Sequence, residues 1–170
     1  MRLDRQFREI YQELIKSLEE RRGEPFGAGL ITKEGDVIAV GTNEVIATDD
    51  ISRHAEIVAL ANAGEKLETI FLPETIILAT HYPCLMCYNA IKLAGVKKGY
   101  YIFESEETEK YFGLGGGDML LDELGITKEM QRNDIGLDLQ KYSSEEVNEL
   151  YYGTLVERWN EEYKHICIPH

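Results

Sequence analysis

The chain has 170 residues and carries 18 Lys and Arg against 31 Asp and Glu, a formal charge of -13. That length suits one globular domain, and 44% hydrophobic with 29% charged residues is enough to bury a core, which excludes a disordered chain. The acid excess argues against broad binding to a phosphate backbone, no apolar run approaches the roughly 20 residues a membrane span needs, and the three Cys are too few for a disulfide framework. The opening MRLDRQFREI alternates charged and apolar positions with no signal-like block, so a cytoplasmic location is expected.

Leu3, Phe7, Ile10, Leu14 and Leu18 recur at helical spacing with charges between them, predicting an amphipathic helix that Gly23 stops. FGAGLITK and VIAVGT then read as two strands of a hairpin whose turn uses Gly35 at positive φ. After a polar loop, Ser52 is a candidate cap for a helix through RHAEIVALANAG, ending at Gly64. TIILAT at 75–80 is nearly continuous apolar, as a strand covered on both faces should be. Pro83 and Gly95 bracket a further helix, GYYIF at 99–103 follows as a fourth strand, and strand, helix and strand make a parallel crossover. Residues 104–142 are less regular, with an acidic ESEETEK run read as a solvated helix face, a GLGGGD loop at 113–118 and a short helix in DMLLDELG. Ser143 and Glu146 fit a capping box opening a last helix with Val147, Leu150, Leu155, Trp159 and Tyr163.

The chemistry concentrates at two helix starts: His54 and Glu56 at one, Cys84 and Cys87 at the other. Zinc takes imidazole nitrogen and thiolate sulfur tetrahedrally, and a catalytic site uses three protein ligands, leaving the fourth position to water. One His and two Cys supply that set, and a helix amino-terminus favours the thiolate form. Glu56 follows His54 by two residues, which on an ideal helix turns it about 200° away, so convergence needs an irregular first turn. If they converge, the carboxylate can take a proton from a zinc-bound water and later deliver it to a leaving group, the logic of hydrolytic deamination.

H-A-E at 54–56 and P-C-L-M-C at 83–87 resemble the two signatures of the cytidine deaminase-like zinc superfamily. The P-F-G-A at 25–28, the G-T-N at 41–43 and the order of strands and helices from 25 to 103 are similar to its nucleobase branch: guanine deaminases, fungal-type cytosine deaminases and tRNA wobble-adenosine deaminases. The resemblance implies His54, Cys84 and Cys87 as ligands of Zn2+ and Glu56 as proton shuttle. It further implies Asn43 as hydrogen-bond partner to the base, Phe26 as a stacking platform, and the backbone N–H groups of Ala55 and Cys84 as contacts to the substrate's edge. Guanine deaminases also carry an aromatic-rich tail, matched by LVERWNEEY, and an acidic residue after the fourth strand, for which Asp118 is the best match. Where purine and tRNA enzymes usually have Glu-Pro-Cys, this chain has Tyr82-Pro83-Cys84 preceded by His81, a departure from the purine motif.

Competing readings are a thioredoxin-like Cys pair and a structural zinc site closed by His81 or Cys167 as fourth ligand. The first lacks a later Pro before 169 to face the pair, and the second gives Glu56 no purpose. His81 otherwise reads as a satisfied loop histidine, Asn43 as a turn residue and Phe26 as core.

The expected fold is a three-layer α/β/α sandwich with a mixed central sheet of about five strands. One deaminase domain over 1–170 is expected, with 104–142 a variable glycine-containing region and 143–170 a C-terminal helix and tail. The expected function is zinc-dependent hydrolytic deamination of a free nucleobase or related small heterocycle, guanine-type or cytosine-type. The alternatives are tRNA wobble-adenosine deamination and a noncatalytic zinc module. A small-molecule substrate and no membrane or nucleic-acid partner are expected, with a homo-oligomer, a dimer, implied by the resemblance.

Overall fold

The computed structural model describes residues 1–114, 123, 125–126 and 136–166. Asp118, the glycines at 115–117, most of DMLLDELG, Cys167 and His170 lie outside the described residues.

Five strands form one mixed sheet in the order β2-β1-β3-β4-β5. They are β1 (Gly27–Thr32), β2 (Val37–Thr42), β3 (Thr75–His81), β4 (Lys98–Phe103) and β5 (Asp138–Lys141). β1 pairs antiparallel with both β2 and β3, while β3, β4 and β5 run parallel. The hairpin turns at Gly35, whose φ of 97° lies in the region closed to most side chains, as its sequence predicts. Every residue of β3 is buried, which is why its sequence is a continuous apolar run rather than an alternating one.

The helices sandwich this sheet. On one face lie α1 (Asp4–Glu19) and a helical run over 145–166, joined with the sheet in a cluster that includes Phe7, Leu14, Leu78, Phe103, Phe112, Tyr151 and Trp159. On the other lie α3 (Ala55–Leu67) and α4 (Leu85–Leu93), packed through Ala55, Ala59, Ala63, Tyr88 and Ile91 on Leu30 and Ile77. A one-turn α2 (Val45–Thr48) interrupts the polar loop after β2, and α5 (Ser105–Phe112) follows β4. The acidic stretch is indeed helical: Glu104 and Glu107 form a capping box at the start of α5, placing carboxylates where the helix dipole favours them.

The last helix shows how spacing selects geometry. Val147, Tyr151, Leu155, Trp159 and Tyr163 are buried at strict four-residue intervals. An α-helix at 3.6 residues per turn would swing successive members of such a series off the core by about 40° each. The backbone widens into π-helical turns at Glu149–Leu155 and Trp159–Tyr163, which keeps the five on one face. Buried aromatic polar groups are satisfied there: Tyr151 Oη donates to the Phe7 carbonyl at 2.7 Å and Trp159 Nε1 to the Phe112 carbonyl at 2.9 Å.

Four sequence expectations are corrected. Gly23 is not the stop of α1; the turn is made by Arg21, whose φ is 54°. Ser144, not Ser143, caps the last helix, because its Oγ accepts from Val147 N at 3.1 Å while donating to the buried Asp4 carboxylate. Ser52 does not cap α3 and Gly64 does not end it: Ser52 folds back onto Asp50 in a local turn, His54 takes the cap position, and the helix runs to Leu67 before Glu68 adopts a φ of 54°.

Candidate metal centre and active site

The shifted start of α3 answers the question of convergence. His54 is the cap residue, in extended backbone with φ -67° and ψ 156°, so it lies outside the helical rotation that would separate it from Glu56 in the first turn. Cys84 occupies the same position on α4, with φ -63° and ψ 168°, and Cys87 lies in the first helical turn. Two helices thus present their amino-termini to one point.

His54 Nδ1 lies 3.6 Å from Cys84 Sγ and 3.5 Å from Cys87 Sγ. Tetrahedral zinc, with bonds of about 2.0–2.1 Å to nitrogen and about 2.3 Å to sulfur, requires N···S separations of about 3.6 Å. The donor set therefore fits the metal in both chemistry and spacing. Among the described residues, this is the one group of three metal-ligating side chains, its donor atoms all within 4.8 Å of one another.

The electrostatics are those of a tightly coupled site. Cys84 is drawn down to about 4, first by its hydrogen bond with Cys87 and then, against burial, by His54. Cys87 is pushed up, first by its hydrogen bond with Cys84, then by burial and by the Glu56 and Cys84 charges. Burial would lower His54, but its contact with Cys84 raises it. Glu56 is buried and raised to about 7, by burial foremost and by the Cys84 charge next.

Asn43 is fully buried after β2; its N–H donates to the Phe26 carbonyl at 3.0 Å and its Oδ1 accepts from Val45 N at 3.1 Å. The turn role expected of it is real, and it leaves Nδ2 to serve as a donor. Two glycines make its position possible. A Cβ on Gly23 would lie 2.2 Å from Asn43 Oδ1, and one on Gly41 would lie 2.3 Å from Ala59 N, so the chain needs glycine for α3 to lie on β2 beside Asn43.

Phe26 is half-buried and meets the His81 ring edge-on, with centroids 4.6 Å apart. His81 is not a loop residue. It ends β3, buried among Phe26, Phe103 and Phe112, with Nδ1 2.8 Å from Thr80 Oγ1 and Nε2 without a partner among the described residues. It stands outside the metal-ligating group, and burial lowers its pKa to about 3, so the imidazole is neutral. The other proposed fourth ligand, Cys167, lies outside the described residues, as does Asp118. Sequence reasoning missed Glu44, Arg22 and Arg53, which pair beside Asn43 and His54; opposite charges within one polar loop were the available signal.

A mixed five-stranded sheet flanked by helices, with a His-Cys-Cys donor set at two facing helix amino-termini and a buried glutamate beside it, defines the architecture of the zinc-binding cytidine deaminase-like proteins. The family of the cytidine and deoxycytidylate deaminase zinc-binding region matches residues 1–103, and the chain belongs to it. Over 80 residues it is 40% identical to the tRNA-specific adenosine deaminase of Buchnera aphidicola subsp. Schizaphis graminum, covering 46% of this chain and 52% of that one. Over 82 residues it is 39% identical to the guanine deaminase of Bacillus subtilis, covering 48% and 52%. The chain thus spans about half the length of these relatives. The X-ray structure of Bacillus subtilis guanine deaminase shares the fold with a TM-score of 0.67 over 96% of this chain and 99% of that chain, at 23% identity. A guanine deaminase from Nitrosomonas europaea does so with a TM-score of 0.68 over 89% and 80%, at 22% identity.

Proposed function

We propose that the protein catalyses zinc-dependent hydrolytic deamination of a free nucleobase or related small heterocycle, guanine-type or cytosine-type. The observation that carries this reading is the convergence of His54 Nδ1 on both thiol sulfurs at 3.5–3.6 Å, with Glu56 buried at the same helix start. His54, Cys84 and Cys87 would hold the metal. Zinc, when bound, supplies a Lewis acid that brings the pKa of a coordinated water to about 7.

The chain's own groups do the rest. Glu56 accepts a proton from the attacking water and returns protons to the ring nitrogen and the amino group; the C–O bond forms, the C–N bond breaks, and ammonia leaves. Its burial excludes bulk water as a competing proton source. Asn43 Nδ2 donates to the base, the Ala55 and Cys84 N–H groups at the helix starts donate to its edge, and Phe26 supplies a ring face. Asp118 keeps its proposed role as an acidic contact to substrate.

A small neutral substrate is favoured by the -13 charge, which repels polyanions. The second reading, tRNA wobble-adenosine deamination, is favoured by the 40% identity to a tRNA-specific adenosine deaminase. We also propose a homodimer, supported by exposed Ile70, Phe71 and Leu93 around the end of α4, with sedimentation velocity as its test.

The deciding experiment is ammonia release by zinc-loaded protein from guanine, cytosine, adenine and their nucleosides, beside inosine formation in an anticodon stem-loop. Release from a free base or neutral nucleoside is expected. Conversion of the stem-loop with every small substrate inert would replace the proposal with the second reading.

A further inference from the structure

Between the two arms of the site lies a charged cluster that the chemistry above does not use. Glu44 directly follows Asn43, and Arg53 directly precedes His54. Arg53 Nη2 donates to Glu44 Oε2 at 2.5 Å and Arg22 Nη2 to Glu44 Oε1 at 2.6 Å, so each carboxylate oxygen holds one guanidinium. The main chain repeats the link: Glu44 N–H donates to the Arg53 carbonyl at 3.0 Å, and Ala47 N–H to the Arg22 carbonyl at 2.9 Å. Three connecting segments, after α1, after β2 and before α3, are therefore joined at one side chain.

The Glu44 side chain is only 13% exposed, with Arg53 at 33% and Arg22 at 39%, so the pairs are partly buried and the carboxylate, more than the guanidiniums, is shielded from water. Arg53 Nε is buried with no partner among the described residues, so Glu44 is what holds the Arg53 head group. The His54 side chain makes no cap hydrogen bond. Its extended backbone, on which the approach to Cys84 and Cys87 depends, is tied by its own N–H to the Ser52 carbonyl at 2.8 Å and, one residue earlier, by the Arg53 carbonyl and head group to Glu44.

We propose that Glu44 is a positioning residue that locks the His54 arm to the Asn43 arm, through Arg53 on one side and Arg22 on the other. The proposal rests on His54 being a zinc ligand. Its chemical logic is that of outer-shell groups in metal sites, which orient a ligand they do not replace. Loss of the Glu44 charge frees Arg53, loosens the residue pair 53–54 and lets the imidazole swing off the metal.

The test is the rate of zinc release from the zinc-loaded protein to 4-(2-pyridylazo)resorcinol, with thermal midpoints measured alongside. Glu44→Gln should release zinc about 10-fold faster or more, the range in which outer-shell changes act on metal affinity. Arg53→Gln should match it, and the double variant should be no faster than either, because both remove one link. Asp4→Asn, which loosens the contact of α1 with the last helix on the far face of the sheet, should lower the midpoint without changing release. Release from Glu44→Gln at the wild-type rate, or no faster than from Asp4→Asn, overturns the inference, as do two single effects that multiply in the double variant. If Glu44→Gln does not fold, Arg53→Gln carries the same comparison. Wild-type protein that binds no zinc overturns the ligand assignment and the inference with it, whereas one zinc per chain with release indifferent to Glu44 overturns the inference alone.

Discussion

Gly41→Ala and Gly153→Ala are the same chemical change, and the structure gives them opposite signs. A methyl group on Gly41 would lie 2.3 Å from Ala59 N, 2.5 Å from Ala55 O and 2.9 Å from Ala59 Cα, all backbone atoms that cannot rotate away. Ala55 O and Ala59 N are hydrogen-bond partners in the first turn of α3, so the methyl would press on the turn that follows His54. Restoring ordinary contact of 3.4 Å or more moves the start of α3 from β2 by about 1 Å. Overpacking of that kind costs about 1–3 kcal/mol. For a chain of this size the thermal midpoint should fall by roughly 2–12 °C. Because a displacement of about 1 Å at reacting groups can cost about 100-fold in rate, turnover at saturating zinc should fall by a similar factor. A Cβ on Gly153 meets nothing within 4 Å among the described residues, and its φ is not positive, so alanine there should stabilise by about 0.5–1 kcal/mol by restricting the unfolded chain. Melting curves followed by circular dichroism and ammonia release on both variants check the pair. A Gly41→Ala protein as stable and active as wild type would refute the argument that glycine is there for close approach.

His81 titrates at about 3 when folded and near 6.5 when unfolded, so the unfolded state binds the extra proton and stability should fall as pH drops from about 6.5. At pH 5 this amounts to about 2 kcal/mol, and His81→Phe should flatten the wild-type dependence of the midpoint between pH 6.5 and 4.5; an unchanged slope would contradict it. Asp4 is held below the usual carboxylate range by Arg2, Ser144 and Tyr142, so its contribution is present above about pH 4 and lost as pH falls through the lower folded value. The difference in midpoint between wild type and Asp4→Asn should shrink across that acid range, and a difference independent of pH would show that the ion pair and hydrogen bonds are not its source. Glu56→Gln should keep zinc and fold while losing most turnover, since the amide has the shape but not the proton chemistry; retained turnover would require another base.

How much of this was legible in the sequence varied with the physics of each part. The hairpin, β3, the parallel crossover and the His-Cys-Cys donor set that could hold a metal announce themselves, because β3 is buried on both faces and because His, Glu and a Cys pair at helix starts have few other uses. β5 does not: DLQK has one apolar residue, sits at the sheet edge and is mostly exposed, so nothing in its composition marks a strand. Ser52 has the right chemistry for the cap of α3, but Asp50, two residues earlier, takes its hydroxyl in a local turn, and one side chain cannot serve both partners. His81 was misplaced because its burial comes from three aromatic rings distant in sequence. The π-helical turns of the last helix are present as a four-residue period, which is recognisable once the buried face is known.

The central claim is that His54, Cys84 and Cys87 hold zinc and leave one position for the reacting oxygen. X-ray absorption at the zinc edge of the purified protein tests it without knowledge of the substrate. The account expects one nitrogen at about 2.0–2.1 Å, two sulfurs at about 2.3 Å and one oxygen, with the sulfur count falling to one in Cys87→Ala. A third sulfur or a second imidazole in the wild-type shell would mean four protein ligands, and would contradict a catalytic site.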